Sequence, residues 1–235
     1  MDRKKVIAAL LPVGLLLACG GGSGSSSSGS ITGTWLLNGI SSDTCETLTA
    51  LSDGTAVYGL YRPAKNGEGL QRLTYTWNNN TFTVTGVQTD TTGDWNGFVA
   101  GTSAPFTLTG ANQASVTSSN QSVTRLTAST SNPLQGTWID GTPSSGNYGA
   151  IIFFANNFYL LFHETSSTGT GIEYGTYSWN SSTGALSVSN DIFLSIADFA
   201  FSSASTLNFM VSGATGTLVV NGSSPATFQR LERAP

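Results

Sequence analysis

Large apolar residues alternate with small polar residues along much of the chain beyond residue 30. In Leu73-Thr74-Tyr75-Thr76-Trp77 the large side chains share one face, and Phe82 and Val84 continue the alternation after Asn78-Asn79-Asn80. A period of two is typical of a strand with one buried face, and the run of asparagines indicates a hairpin loop. The pattern therefore predicts antiparallel β-structure.

The second half of the chain shows the same alternation. It continues through Tyr177, Trp179, Leu186 and Val188, and the apolar run over residues 151–161 predicts two buried strands around a turn. One segment departs from this period. Between Asp191 and Ala200 the apolar residues are spaced three and four apart, which predicts a short helix over residues 191–200.

Three landmarks recur in the same order along the chain. ITGTWLL at 31–37 returns as LQGTWID at 134–140, LTYTWNNN at 73–80 as GTYSWNSS at 175–182, and VTRLT at 123–127 as FQRLE at 228–232. The offsets are 103 between the two GTW tryptophans, 102 between the next pair and 105 between the arginines. This predicts two tandem β-units over residues 31–130 and 134–233, each of about 100 residues and seven or eight short strands, as a small antiparallel barrel or sandwich.

The Gly-Thr-Trp motifs ending at Trp35 and Trp138 resemble the opening strand of the calycin superfamily, the lipocalin-like up-and-down β-barrels. That superfamily carries an arginine on its last strand, and Arg125 and Arg230 stand at this position in the two units. The resemblance implies two small up-and-down barrels, with Arg125 covering Trp35 and Arg230 covering Trp138. We expect each guanidinium within about 6 Å of its indole centroid.

The first thirty residues indicate export and anchoring. A basic start and a short apolar run make residues 1–18 a predicted signal peptide, since the run is too short to cross a bilayer. Leu16-Leu17-Ala18-Cys19 resembles the bacterial lipobox, which implies a diacylglycerol thioether on Cys19 and an acyl chain such as palmitate on its amino group. Residues 19–30 are the lipidated cysteine and a flexible Gly/Ser tether. By resemblance, Gly20 after the cysteine favours the outer membrane of a Gram-negative envelope.

Charge narrows the range of partners. Without Asp2, Arg3, Lys4 and Lys5, the mature chain keeps 6 basic and 12 acidic residues, a net charge of −6. Nucleic acid is therefore not an expected partner, because its phosphates are bound by basic surfaces. The lipid on Cys19 is the expected contact with the membrane.

The cysteine and histidine residues predict neither a disulfide nor a metal site. After lipidation of Cys19 only Cys45 remains, so no intramolecular disulfide can form, and Cys45 is predicted to be a small packed residue. His163 is the only histidine, so no zinc-ligand spacing exists and no metal or cofactor is predicted. Asp90 to Gly97 resembles a calcium loop only loosely and is interpreted as a turn.

Candidate carboxylate pairs are Glu164 with Glu173, or Asp90 with Asp94. A glycosidase would use such a pair, but acids are scarce and scattered here, so a surface role and no catalytic activity are predicted. The aromatic residues on the repeated strands could line a carbohydrate or apolar ligand site. These aromatic residues alternate in step with neighbouring apolar residues. The pattern therefore favours a place in the core for Tyr75, Trp77, Tyr177 and Trp179.

The sequence thus predicts a lipid-anchored envelope protein that acts as a non-catalytic binding or structural module. Its partner would be a small apolar ligand, a glycan or an envelope protein. The alternative is a periplasmic enzyme inhibitor that acts through an exposed loop, for which residues 61–65, Tyr61-Arg62-Pro63-Ala64-Lys65, are the candidate.

Overall fold

The computed structural model describes residues 30–65, 67–92, 97–116, 121–165, 169–194, 200–201 and 203–232. Over these residues the chain forms two closed barrels in tandem, each of eight antiparallel strands, so the predicted all-β pair of units is confirmed. The first barrel, barrel 1, contains β1 (Gly33–Leu36), β2 (Cys45–Ala50), β3 (Thr55–Arg62), β4 (Gly67–Asn78), β5 (Thr81–Asp90), β6 (Ser103–Gly110), β7 (Gln113–Val116) and β8 (Gln121–Arg125).

The second barrel, barrel 2, repeats this order. Short 3-10 helices follow the third strand of barrel 1 at Pro63–Lys65 and the first strand of barrel 2 at Pro143–Ser145. The strands of barrel 2 are β9 (Gly136–Thr142), β10 (Asn147–Phe153), β11 (Phe158–Thr165), β12 (Gly169–Trp179), β13 (Ala185–Leu194), β14 (Leu207–Ser212), β15 (Thr215–Val220) and β16 (Ala226–Arg230).

Each barrel closes by pairing its first strand with its last. In barrel 1 the Trp35 backbone lies opposite Arg125, and in barrel 2 Trp138 lies opposite Arg230. We call this end of each barrel, where the first strand begins and the last strand ends, its base. Closure shortens the unpaired edge on these Thr- and Val-rich sheets, which would otherwise invite association with other chains. Pairing is short after β5 and β13, which contact the next strand only at residues 81–83 and 185–186.

The predicted hairpin after β4 is present. Asn79 and Asn80 form its two-residue turn, with φ of 49° and 58°. Asparagine tolerates this left-handed backbone better than most residues, and two positive φ values are what a tight hairpin between twisted strands requires. The asparagine run therefore marks the loop because of its backbone and not only because it is polar.

The helix predicted over residues 191–200 is wrong over its first four residues. There β13 continues to Leu194, with Phe193 opposite Tyr174 and Leu194 opposite Glu173. The register shifts between Tyr174 and Thr176, so that residues 190–192 lie opposite the single Gly175. A bulge of this kind breaks the period of two, which explains the helix-like spacing. Residues 195–199 lie outside the described residues.

Each barrel interior is filled by large side chains. The core of barrel 1 includes Trp35, Phe82 and Phe106, all at most 2% exposed, and the Trp35 and Phe106 rings meet edge to face at 6.2 Å. In barrel 2 Trp138 and Phe209 repeat this contact at 5.2 Å. Buried rings of this size contribute most to core stability, and they occupy the space that a ligand would need.

A third core lies between the barrels and joins their outer faces. A side chain at Gly59 would overlap the Phe162 ring, so glycine allows the two walls to approach closely. The buried members of this interface core come from both barrels: Cys45, Val57, Tyr61, Leu70, Leu126, Tyr148, Ala150, Ile152, Phe154, Leu160, Phe162, Ile172 and Tyr174.

Corresponding residues of the two barrels meet across this interface. The hydroxyl oxygens of Thr34 and Thr137, which are 103 positions apart, lie 2.7 Å from each other, and both residues are fully buried. Gly59 and Phe162 are also 103 positions apart and pack together. A residue touches its own counterpart only on a two-fold axis, so the barrels are related by an approximate two-fold axis through this interface.

The same axis relates two further contacts to each other. The Tyr61 and Tyr174 rings pack at 5.0 Å. Their counterparts, Glu164 and Arg72, form a bidentate ion pair with N–O distances of 3.0 and 3.1 Å. Thr89 also donates a hydrogen bond of 2.6 Å to Glu164. One half of the interface is therefore aromatic and the symmetry-related half is ionic.

Candidate functional site

The two predicted Arg–Trp contacts are present at the barrel bases. The Arg125 guanidinium carbon lies 4.5 Å from the Trp35 ring centroid, and that of Arg230 lies 4.3 Å from Trp138. Burial lowers the pKa of both guanidinium groups. Both indoles are fully buried, so these pairs close the bases and the tryptophan rings offer no surface to a ligand.

The aromatic residues on the repeated strands divide between core and rim. Tyr75 and Tyr177 are 9% and 5% exposed, and each donates its hydroxyl to a backbone carbonyl, at Leu51 and Phe154 respectively. Burial raises the pKa of both hydroxyls. Trp77 and Trp179 are only partly buried and pack at the edge of each core. Core packing was the favoured prediction, and it describes the tyrosines better than the tryptophans.

A pocket of about 290 Å³ opens beside Trp179 at the base of barrel 2. We call it the Trp179 pocket. The linker between the barrels, the β10–β11 turn, β12 and the turn after β12 all contribute to it. Its lining residues are Ser131, Asn132, Asn157, Tyr177, Trp179 and Ser181.

A second pocket of about 590 Å³ lies at the base of barrel 1 and reaches the end of barrel 2. Arg125 and Glu232 are the charged residues in its lining. The Glu232 carboxylate accepts a 2.7 Å hydrogen bond from the Thr137 N–H, while its other oxygen is buried without a partner. Burial raises the pKa of Glu232, and the nearby Arg230 opposes that rise. The sequence analysis did not single out Glu232.

The carboxylates considered as a pair from sequence are separated by the barrel wall. Glu164 lies in the interface and binds Arg72, whereas Glu173 lies inside barrel 2 and is fully buried. The prediction that both acids are solvated at the surface is therefore wrong. Asp90 accepts hydrogen bonds from Thr92 and Gln71, and Asp94 lies outside the described residues.

Glu173 fixes a loop inside barrel 2, and Gln71 does the same in barrel 1. Glu173 accepts hydrogen bonds of 2.6 Å from the Tyr159 hydroxyl and from the Phe201 N–H. Gln71, at the corresponding position, accepts one of 2.7 Å from the Phe98 N–H. This role could be found by aligning the two repeats. Gln71 and Glu173 occupy the same position, and both are long polar residues on strands whose other inward-facing side chains are mostly apolar.

The remaining candidates for chemistry are packed residues. Cys45 is fully buried in the interface core, as predicted, and burial raises the pKa of its thiol. His163 lies on β11, partly exposed. No group of three or more His, Cys, Asp or Glu side chains could hold a metal ion within the described part of the chain.

Residues 1–29, with the predicted signal peptide, Cys19 and most of the tether, lie outside the described residues. Among the residues that are described, no helix is both long and apolar enough to span a bilayer. No protein family, curated protein or solved structure matches the chain.

Proposed function

We propose that the mature chain is a lipid-anchored envelope protein whose paired barrels form a non-catalytic binding module. The proposal rests on one observation, the position of the pockets in the structure. Buried rings pack the described cores of both barrels, and two pockets lie at the bases. A ligand would therefore bind on the outside of a rigid pair of barrels.

The interior packing favours a polar ligand or an envelope protein over a small apolar one. Lipocalin-like barrels that bind apolar molecules need a central cavity, and here Trp35, Phe82 and Phe106 occupy the centre of barrel 1. The motif Leu16-Leu17-Ala18-Cys19 and the Gly/Ser tether support anchoring through Cys19. The described chain begins at Ser30, beside the base of barrel 1.

No observation favours the alternative of an enzyme inhibitor that acts through residues 61–65. Tyr61, the aromatic residue of that segment, is buried against Tyr174 and is not an exposed anchor. Arg62 is held 3.5 Å from Glu46. Tyr61 and Arg62 therefore pack against the protein itself, while Pro63 and Ala64 are exposed.

Fatty-acid labelling in a bacterial host tests the anchoring. The wild-type chain should incorporate label, and Cys19→Ser should not. Cys45→Ser is the matched control, since Cys45 is buried and should not affect acylation. Label on Cys19→Ser would contradict the proposal.

Uptake of an apolar fluorescent probe tests the filled interiors. The wild-type mature chain should not enhance the probe's fluorescence, because large buried rings pack the described core of each barrel. Phe106→Ala should create a cavity large enough for small apolar molecules and serves as the positive control. Strong uptake by the wild type would overturn the argument from filled barrels.

A further inference from the structure

The Trp179 pocket combines ring side chains with neutral hydrogen-bonding groups. Its residues come from four segments, and none of the six carries a charge. Its volume of about 290 Å³ is at the small end of the range for ligand sites, roughly 300–1,000 Å³. A single small ring fits such a space better than a large ligand does.

The rings in this pocket are held in fixed positions. The Trp179 indole N–H donates a hydrogen bond of 2.8 Å to the Phe209 carbonyl. The Tyr177 hydroxyl accepts one of 3.2 Å from the Asn132 amide and donates one of 3.0 Å to the Phe154 carbonyl. Pre-positioned groups lose little entropy when a ligand binds, so the arrangement suits recognition.

Barrel 1 has the same backbone at this place but carries glycine where barrel 2 carries Asn157. Tyr75 donates its N–H to the Gly54 carbonyl at 2.8 Å, and in barrel 2 Tyr177 donates to the Asn157 carbonyl at 2.8 Å. Gly54 has φ of 83° and Asn157 has φ of 64°. Glycine adopts this left-handed backbone with least strain, so the turn itself does not require the Asn157 amide.

We infer that the Trp179 pocket binds a single neutral sugar ring. The face of the Trp179 ring, which is partly exposed, is apolar and can stack on the C–H face of a sugar. Asparagine amides and serine hydroxyls donate and accept hydrogen bonds, as neighbouring sugar hydroxyls require. The uncharged lining and the mature chain's net charge of −6 favour a neutral hexose or N-acetylhexosamine over an anion. The inference rests on the proposed binding function and names its ligand class.

Titration of the full mature chain, residues 19–235, tests the inference. The probes are tri-N-acetylglucosamine and maltotriose at millimolar concentration, followed by the tryptophan indole N–H signals in heteronuclear NMR spectra. Assignment of these signals uses Trp179→Phe and Trp77→Phe. The Trp179 signal should shift with at least one sugar, while the Trp77 signal at the corresponding place in barrel 1 should not.

Asn157→Gly is the decisive variant, because it installs the residue that barrel 1 carries in the same turn. The fold should be retained, as checked by the backbone amide spectrum, and sugar affinity should fall at least tenfold. Ser178→Ala, on the exposed face of β12 and outside the pocket lining, is the matched control and should leave affinity unchanged. Unchanged affinity in Asn157→Gly, or no shift of the Trp179 signal with either sugar, would overturn the inference.

A sedimentation assay with insoluble peptidoglycan separates a polymer-bound sugar from a free one. Co-sedimentation that Asn157→Gly abolishes would support a polymeric source, and soluble binding alone would support a free saccharide. If Cys19 is labelled and the apolar probe is excluded while sugars do not bind, the sugar assignment fails and the proposed function stands.

Discussion

At the scale of single residues, the repeated Arg–Trp contacts show how a short motif closes a barrel. Trp35 and Trp138 donate their indole N–H groups to the Ile31 and Leu134 carbonyls, both at 2.7 Å. The guanidinium of the last strand then covers each ring. Guanidinium suits this place because it is planar, weakly hydrated and able to stack.

Double-mutant cycles should detect both contacts and rank them. Arg230→Ala with Trp138→Phe should give a coupling energy of about 2 kcal/mol, because the contact is desolvated, and Arg125→Ala with Trp35→Phe about 0.5–1 kcal/mol. Arg230 is 9% exposed, and Arg125 is more exposed. Urea unfolding measures these energies. Zero coupling in both cycles would show that the arginines do not support the indoles.

Glu232 gives a second prediction, one that depends on pH. Its pKa is raised in the folded protein, so folding favours the protonated form. The contribution of Glu232 to stability is then greatest below its unfolded pKa, about 4.3, and is lost as pH rises through the folded value.

Glu232→Gln should therefore gain stability relative to wild type as pH rises from 4 to 7, because the amide oxygen can still accept from the Thr137 N–H. Urea unfolding across this range measures the difference. Asp140→Asn, at an exposed acid, controls for the loss of one negative charge. A difference that stays constant with pH, or shrinks as pH rises, would refute the prediction.

At the scale of elements, one inward-facing position on β4 and β12 fixes the connection between the fifth and sixth strands of each barrel. Gln71 holds Phe98, and Glu173 holds Phe201. The Phe98 ring packs against Tyr58 at 5.2 Å and Phe82 at 5.9 Å. The Phe98 ring thus packs against the core of barrel 1.

Replacing either residue with leucine should release only its own loop. Glu173→Leu removes the carboxylate that accepts from the Phe201 N–H and the Tyr159 hydroxyl, and the loss of a buried acceptor costs about 1–3 kcal/mol. Hydrogen exchange should become faster at the Phe201 amide and stay unchanged at Phe98, with the reverse in Gln71→Leu. Each variant is the control for the other. Equal acceleration at both amides would indicate general destabilisation instead.

Strand periodicity and the repeat were sufficient to predict two β-units and the hairpin at Asn79, and the calycin resemblance implied the contact between Trp35 and Arg125. Sequence could not show that Glu173 and Glu164 face opposite sides of one wall, because β-bulges and inter-strand register decide this. It also could not reveal the Trp179 pocket. Asn132 and Asn157 are distant in sequence, and only closure of barrel 2 brings them together.

At the scale of the whole molecule, the interface joins the two barrels through three kinds of contact. It contains an apolar core, a hydrogen bond between buried threonines and the Arg72–Glu164 pair. Glu164 is 7% exposed, and Arg72 is its ion-pair partner. Removing one partner of a buried pair costs more than replacing both.

Arg72→Met should destabilise the protein by about 3–5 kcal/mol, since it leaves the Glu164 charge uncompensated. The double variant Arg72→Met with Glu164→Gln should recover most of this loss. Arg62→Met is the control, because the Arg62–Glu46 pair is longer, at 3.5 Å, and more exposed. Thermal and urea unfolding measure the effects. A double variant no more stable than Arg72→Met would contradict the argument.

The contact between Thr34 and its counterpart Thr137 has a consequence for how the two halves have diverged. Two separate copies of one barrel meeting in this way would form a symmetric dimer that falls apart on dilution. Joined in one chain, they experience an effective concentration in the millimolar range, so pairing no longer depends on abundance. Linkage also lets the halves differ, as Gly54 and Asn157 do.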